Sequence, residues 1–421
     1  MYFKCTPTQQ VQYPVNGYDG GDILKRQFTK DFTQQEPICQ ESIDGAMAIL
    51  KSGKIHRYNV GPGEKGEAAQ LEEEFAAYMG KKYCLSCASC GSALYLALKS
   101  AGVKPGDKVL CNAYTLAPVP GAIENAGAKI ELVEITDDYT MDLDDLEKKA
   151  AASGTKWFML SHMRGHITNM DRVMEICKAN DLTLIEDCAH TMGGYWDKKK
   201  SGSFGRSACF STQTYKHMNS GEGGLLVTDD PELIAKAIIH SGSYMLYERH
   251  TSRPSMEVFE SLKTMIPNYS CRMDNLRAAL LRPQLKQLDN QCRRWNERYQ
   301  LLEKGFATID GINCPARDPR ETYVGSSIQF SLNGQSPEVI QTFLKSCMDR
   351  GVELKWFGNK EPVGFTSAYE SWKYFGDLPD LPNTNRVLSV MCDMRIPLTF
   401  ALDDCVLIVE IIREVAGEVL K

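Results

Sequence analysis

From residue 83 to residue 186 the spacing of apolar positions keeps switching. Short apolar runs alternate with stretches in which apolar residues recur every three or four positions. The runs Tyr83–Ser89, Lys108–Cys111, Lys129–Glu134, Lys156–Ser161 and Leu182–Glu186 predict strands. Between them, Gly91–Ala101, Val119–Ala126, Asp142–Ala151 and Met170–Asn180 predict helices, with Gly127 stopping the second. A further helix is predicted over 66–79, with Gly80 as its C-cap. Strands this continuously apolar are buried on both faces, so the alternation predicts an α/β fold with a mostly parallel central sheet.

Beyond it, 275–303 predicts a long helix with a kink at Pro283. Residues 320–421 predict a smaller α+β unit. It has a strand near Ser326–Leu332, a helix over Ser336–Arg350, a polar loop through 357–383 and a last helix over 402–418. The expected organisation is an N-terminal extension with little regular structure (1–45), a large domain (46–290) and a small C-terminal domain (291–421).

Composition narrows the class. The chain has 421 residues, 43% of them hydrophobic, enough for two cores. Its net charge of −6 argues against a nucleic-acid partner. No apolar run is long enough for a membrane span. The first residues, MYFKCTPTQQ, lack the apolar centre of a secretory signal, so a cytoplasmic location is expected. Fifteen cysteines lie mostly in apolar segments, where they pack as small hydrophobes. Cys84, Cys87 and Cys90 have the opening spacing of an iron–sulfur site. No fourth cysteine or closing proline follows, so packing roles and no metal are expected.

Candidate chemistry gathers where strands end, the edge at which open α/β sheets bind ligands. Gly91-Ser92-Ala93 opens a helix and offers amides, a hydroxyl and the positive dipole end to a phosphate; the plain alternative is a serine N-cap. Asp187 closes the run LTLIED and is either a helix cap or a functional carboxylate, and His190 follows three residues later. Ser211 precedes Lys216 by five residues, and Gly221-Glu222-Gly223-Gly224 then turns the chain into an apolar strand. Alone, Lys216 would be a solvated loop lysine. A phosphate cradle, a carboxylate for a ring nitrogen and a lysine able to form a Schiff base, in that order, are the parts of a pyridoxal 5′-phosphate enzyme.

Those stretches, with CGSALYLALKSAGVKPGDKVL, LIEDCAHTMGG, CFSTQTYKHMNSGEGGLLVTDD and CRMDNLRAALLRPQL, resemble the DegT/DnrJ/EryC1/StrS family of aminotransferases over roughly residues 45–415. The resemblance implies fold type I and a homodimer with active sites at its interface. It also implies that Lys216 carries the cofactor and shuttles the proton, that Asp187 pairs with the pyridine nitrogen, and that His190 lies near the ring. Ser92, Ser211 and the backbone of Gly91 and Ala93 would hold the phosphate. Family members that lack the cofactor lysine have histidine there; here histidine is the next residue, His217.

Four positions depart from the family pattern. Leu116 stands where an aromatic often stacks on the ring, leaving either Leu116 or Tyr114 for that contact. Ser270 stands where an asparagine usually reaches the partner's phosphate. Arg164 replaces a tyrosine, as a substrate clamp or a surface ion pair, and Tyr58 lies in a lengthened loop as a substrate candidate. The expected activity is amino transfer from an amino-acid donor, L-glutamate or L-glutamine, to the keto group of a keto-sugar, a cyclitol or a small carbonyl compound. Pyridoxal-phosphate-dependent elimination or decarboxylation and a non-catalytic regulatory protein are the alternatives.

Overall fold

The computed structural model describes residues 25–61, 63–361 and 367–420. Seven strands form the central sheet. In spatial order they are Tyr83–Cys87, Gly224–Thr228, Ser207–Ser211, Thr183–Asp187, Trp157–Ser161, Lys108–Asn112 and Lys129–Val133. Only Gly224–Thr228 runs against the others. Helices join most parallel neighbours; Thr183–Asp187 and Ser207–Ser211 are instead joined by a long crossover that carries the short strands Tyr195–Trp196 and Lys199–Lys200. Helices Cys90–Ala101 and Pro231–Gly242 cover one face; Glu67–Met79 and Asn275–Phe306 contribute to the core on the other.

The predicted strands and the helices between them are present, with ends shifted by a residue or two. Capping explains several boundaries. Asp142 accepts from the amides of Asp144 and Asp145, and Gly80 and Gly127 take positive φ where their helices stop. The cysteine triplet is divided by the sheet. Cys84 packs into one core, and Cys87 and Cys90 into the core on the other face. Burial raises all three thiol pKa values, so they pack as neutral groups.

Three elements differ from expectation. A helix, Gln40–Ser52, spans residue 45 and lies along Asn275–Phe306. The described residues ahead of it form an extended strap over the small domain. There Phe28 and Phe32 pack edge-on against Phe400, and Glu36 takes two hydrogen bonds from Arg294. The first twenty-four residues of the expected extension lie outside the described residues. Asn275–Phe306 runs three residues past the expected end, as one helix of 32 residues with Pro283 inside it. Between the expected polar loop and the last helix, where no element was expected, lie a helix, Pro382–Val390, and a strand, Met391–Arg395. That strand is the centre of a small sheet, between Ser327–Ser331 and Lys355–Trp356.

Candidate active site

The strand ends put Asp187, Ser211 and the helix start at Cys90 on one edge of the sheet. Between them lies a cavity of about 280 Å³. Lys216, Asp187, His190, Ser211, Gly91 and Leu116 are among the residues that line it. Lys216 also reaches a second cavity, of about 320 Å³, between the strap and helix Asn275–Phe306.

Asp187 is held from behind. Ser161 Oγ donates to its Oδ2 at 2.8 Å, and the amide of Ala189 donates to Oδ1 at 3.1 Å. Thr115 Oγ1 in turn donates to Ser161 Oγ at 2.8 Å. Asn112 brackets the Ser161 backbone, accepting from its amide and donating to its carbonyl. Burial raises the pKa of Asp187, partly offset by these donors and by Lys216.

Lys216 Nζ stands 2.9 Å from His190 Nε2. Burial, and then the nearby Arg164 guanidinium, push the lysine pKa down to about 8. Burial and the Lys216 charge hold His190 well below its ordinary value, so it is neutral and accepts from the lysine.

At the helix start, Ser89 is the N-cap: its Oγ accepts from the Ser92 amide at 3.0 Å and lies 3.0 Å from Ser92 Oγ. The amides of Cys90 and Gly91 precede the first intrahelical hydrogen bond and point out of the helix end. Ala93 does not share this role, because its amide donates to Ser89 O inside the helix. Gly224 is required where the run Gly221-Glu222-Gly223-Gly224 passes this end. A Cβ on Gly224 would sit 2.4 Å from Ser89 O.

Other sequence candidates lie apart from the cavity. Tyr114 is fully buried and packs edge-on against Phe357, with ring centroids 5.1 Å apart, while Leu116 lines the cavity. Tyr58 Oη meets His250 Nε2 at 2.6 Å in a buried cluster with Arg57 and Glu72, which consumes its polar end. Ser270 is exposed, its amide and hydroxyl turned to Asn268 Oδ1, away from this chain's cavity. Arg164 is not a surface residue: it pairs with Asp393 of the small domain at 2.9 Å. Ser161, Thr115 and Asn112 were missed by sequence reasoning because their roles pass through Asp187. Ser89 carried a signal, an N-cap serine ahead of a helix.

His162, Glu186 and Cys188 offer ligand atoms within 4.8 Å of one another. Glu186 already accepts from the amides of Gly202, Phe204 and Gly205, so this cluster ties the 202–205 loop to the sheet.

The model of the DegT/DnrJ/EryC1/StrS aminotransferase family matches residues 38–413. The chain belongs to that family. It is a pyridoxal-phosphate-dependent aminotransferase. Among its relatives, the spore coat polysaccharide biosynthesis protein SpsC of Bacillus subtilis is 32% identical, covering 66% of this chain and 69% of its own. The dTDP-3-amino-3,4,6-trideoxy-alpha-D-glucose transaminase of Streptomyces venezuelae is 31% identical, covering 66% and 68%. A solved GDP-4-keto-6-deoxymannose-3-dehydratase with a trapped PLP–glutamate geminal diamine superposes with a TM-score of 0.77. It covers 91% of this chain and all of that one, at 20% identity, a likeness of fold.

The aminotransferase's own residues fit the cofactor. Outward amides at a helix start suit its phosphate, the braced Asp187 suits a ring nitrogen, and a lysine with a lowered pKa suits its aldehyde.

Proposed function

We propose that this aminotransferase moves an amino group from L-glutamate or L-glutamine to the keto group of a polar acceptor: a keto-sugar, a cyclitol or a small carbonyl compound. The observation that carries the reading is the placement of Lys216 and the braced Asp187 on one cavity. Pyridoxal phosphate, when bound, supplies an electron sink for the carbon that loses its proton. Asp187 holds a proton at the ring nitrogen, and Ser161 and Ala189 keep its carboxylate aimed. Lys216 Nζ takes and returns the proton at the reacting carbon, and its lowered pKa makes the neutral amine accessible near neutral pH. His190 orients that amine. The amides of Cys90 and Gly91, with Ser92 and Ser211, bind the phosphate. Leu116 packs on the apolar side and excludes water.

A homodimer completes the reading. Ile43, Met47 and Leu50 are exposed at one helical face, and Met265 is 79% exposed near Ser270. Such exposed apolar surface suits a second copy of the chain. The test is to mix the protein with pyridoxal phosphate, reduce with borohydride and map the modified peptide, then to follow 2-oxoglutarate from L-glutamate. Modification at Lys216 with one 2-oxoglutarate released per site is expected. Modification elsewhere, or 4-aminobutyrate and carbon dioxide instead of 2-oxoglutarate, would overturn it.

A further inference from the structure

Lys216 stands in a loop whose arms are pinned by backbone hydrogen bonds. The Thr212 amide donates to Gly223 O, and the Thr214 amide donates to Gly221 O. The residue after the lysine, His217, is buried. Its Nδ1 lies 2.9 Å from Met192 O, and its Nε2 lies 3.2 Å from Ser326 Oγ. A carbonyl only accepts, so Nδ1 carries the proton of the ring. Burial and then the Lys216 charge lower the His217 pKa to about 3, so Nε2 is bare and accepts from the Ser326 hydroxyl. The imidazole is held in one tautomer by two partners on different elements.

The first partner belongs to the turn that follows Asp187. Met192 lies two residues past His190. Lys216 donates to His190 and His217 donates to Met192, so consecutive loop residues grip positions 190 and 192 of one turn. The second partner belongs to the small sheet. Ser326 stands just ahead of strand Ser327–Ser331, and its carbonyl accepts from the Ile396 amide at 2.9 Å. Ile396 O in turn accepts from Trp295 Nε1 at 2.9 Å, and the Trp295 ring packs on His217 with centroids 5.2 Å apart. On the other side of the lysine, Arg395 lies 3.8 Å over the ring of Tyr215. Both neighbours of Lys216 are therefore held at the edge of the small sheet. Both nitrogens of His217 are spent, so the ring offers a ligand nothing. What it fixes is the peptide it shares with the lysine.

Resting on the reading of Lys216 given above, we propose that His217 is a positioning residue for the cofactor lysine: its two hydrogen bonds set the register of the loop over the 189–193 turn, which aims Nζ at His190 and the cavity beside Asp187. Asp187 and Ser211 stand at strand ends and Ser92 at a helix start, so none of them depends on the imidazole. Freeing His217 leaves docking of the cofactor intact and spoils the line along which the amine attacks.

The test uses the full chain freed of cofactor, and it separates docking from bond formation. Pyridoxine 5′-phosphate carries an alcohol in place of the aldehyde, so its affinity, measured by calorimetry, reports docking alone. Borohydride-stable incorporation of pyridoxal phosphate, followed in time, reports the step in which Nζ bonds to the aldehyde carbon and the aldehyde oxygen leaves as water. His217→Phe keeps a ring against Trp295 and loses both hydrogen bonds. Its capture should be at least about tenfold slower, with pyridoxine 5′-phosphate affinity within about twofold of the wild type. His217→Asn keeps a donor for Met192, and Ser326→Ala removes only the second bond. Each should slow capture about threefold, and the two together should be no slower than His217→Asn alone, because they break one interaction. Capture by His217→Phe at the wild-type rate, or an equal loss of affinity and of capture, would overturn the inference. Ser326 is only half-buried, so Ser326→Ala decides the matter where His217→Phe fails to fold, and unchanged capture there overturns it too. Capture at a different lysine in the wild type overturns the reading of Lys216 and this inference with it. Capture at Lys216 that ignores both His217 and Ser326 sinks this inference alone.

Discussion

Lys216 Nζ donates to His190 Nε2 at 2.9 Å, and both groups are held in their less charged range by the same burial. A lysine kept near its neutral form, with its direction set by an imidazole three residues past the braced Asp187, is suited to attack an aldehyde. Lys216→Ala should abolish borohydride-stable capture of pyridoxal phosphate and reduce amino transfer by several orders of magnitude. Peptide mapping and 2-oxoglutarate release check both. Retained capture in the variant would show that another lysine carries the cofactor.

The pH dependence follows from the same groups. The lysine's ordinary pKa of 10.5 is lowered to about 8, first by burial and then by the Arg164 charge. Between those values the unfolded chain binds more protons at this residue than the folded chain. Its contribution to stability therefore rises with pH across that window, and its destabilisation is complete below about 8. The rate of cofactor capture should climb with pH, half-maximal near 8. Arg164→Gln removes a cation that disfavours the ammonium, so the midpoint should move upward. A stopped-flow absorbance titration measures it, and an unmoved midpoint would remove Arg164 from the account.

Asp187→Asn keeps the shape of the site and removes the charge. The carboxylate's hydrogen bond to a protonated ring nitrogen would be lost, a change of about 1.5–3 kcal/mol, on the order of tenfold to a hundredfold in cofactor affinity. Ser161→Ala should give a smaller loss in the same direction, since Ala189 still holds the other oxygen. Equilibrium dialysis against pyridoxal phosphate ranks the two. A Ser161→Ala loss larger than that of Asp187→Asn would contradict the bracing role.

Gly224→Ala tests the close approach behind the phosphate site. The added Cβ would lie 2.4 Å from Ser89 O and 2.6 Å from Cys90 N, backbone atoms that cannot rotate away. The strand or the helix start must shift, so a loss of about 1–3 kcal/mol in stability is expected, with weaker phosphate binding. Thermal unfolding and inorganic phosphate competition read the two effects. Gly221→Ala serves as the contrast: nothing lies within 4 Å of the added atom, and only its positive φ resists the change.

Much of the large domain was legible because its signals are local. Asp187 and Ser211 close apolar strands, and strand ends share one edge in a parallel sheet, so order along the chain translated into proximity. Met391–Arg395 was not legible. Asp393 and Arg395 interrupt its apolar pattern, because that face of the strand looks toward the site and Arg164 instead of a core. The helix Gln40–Ser52 was hidden for a related reason: it keeps Ile43, Met47 and Leu50 exposed, so its apolar face did not report burial within one chain.

The sequence by itself determined the alternating α/β order, the placing of Lys216 and of the strand-end carboxylate Asp187, and the glycine-bounded turns, since each is set by neighbours within a few residues. The tertiary structure decided what depends on distant partners. It put Leu116 on the cavity and Tyr114 against Phe357, gave Ala93's amide to its helix, tied Tyr58 to His250 and joined Arg164 to Asp393. Local pattern tells which residues face inward; only packing tells which inward-facing polar groups already have partners and which are left for a ligand.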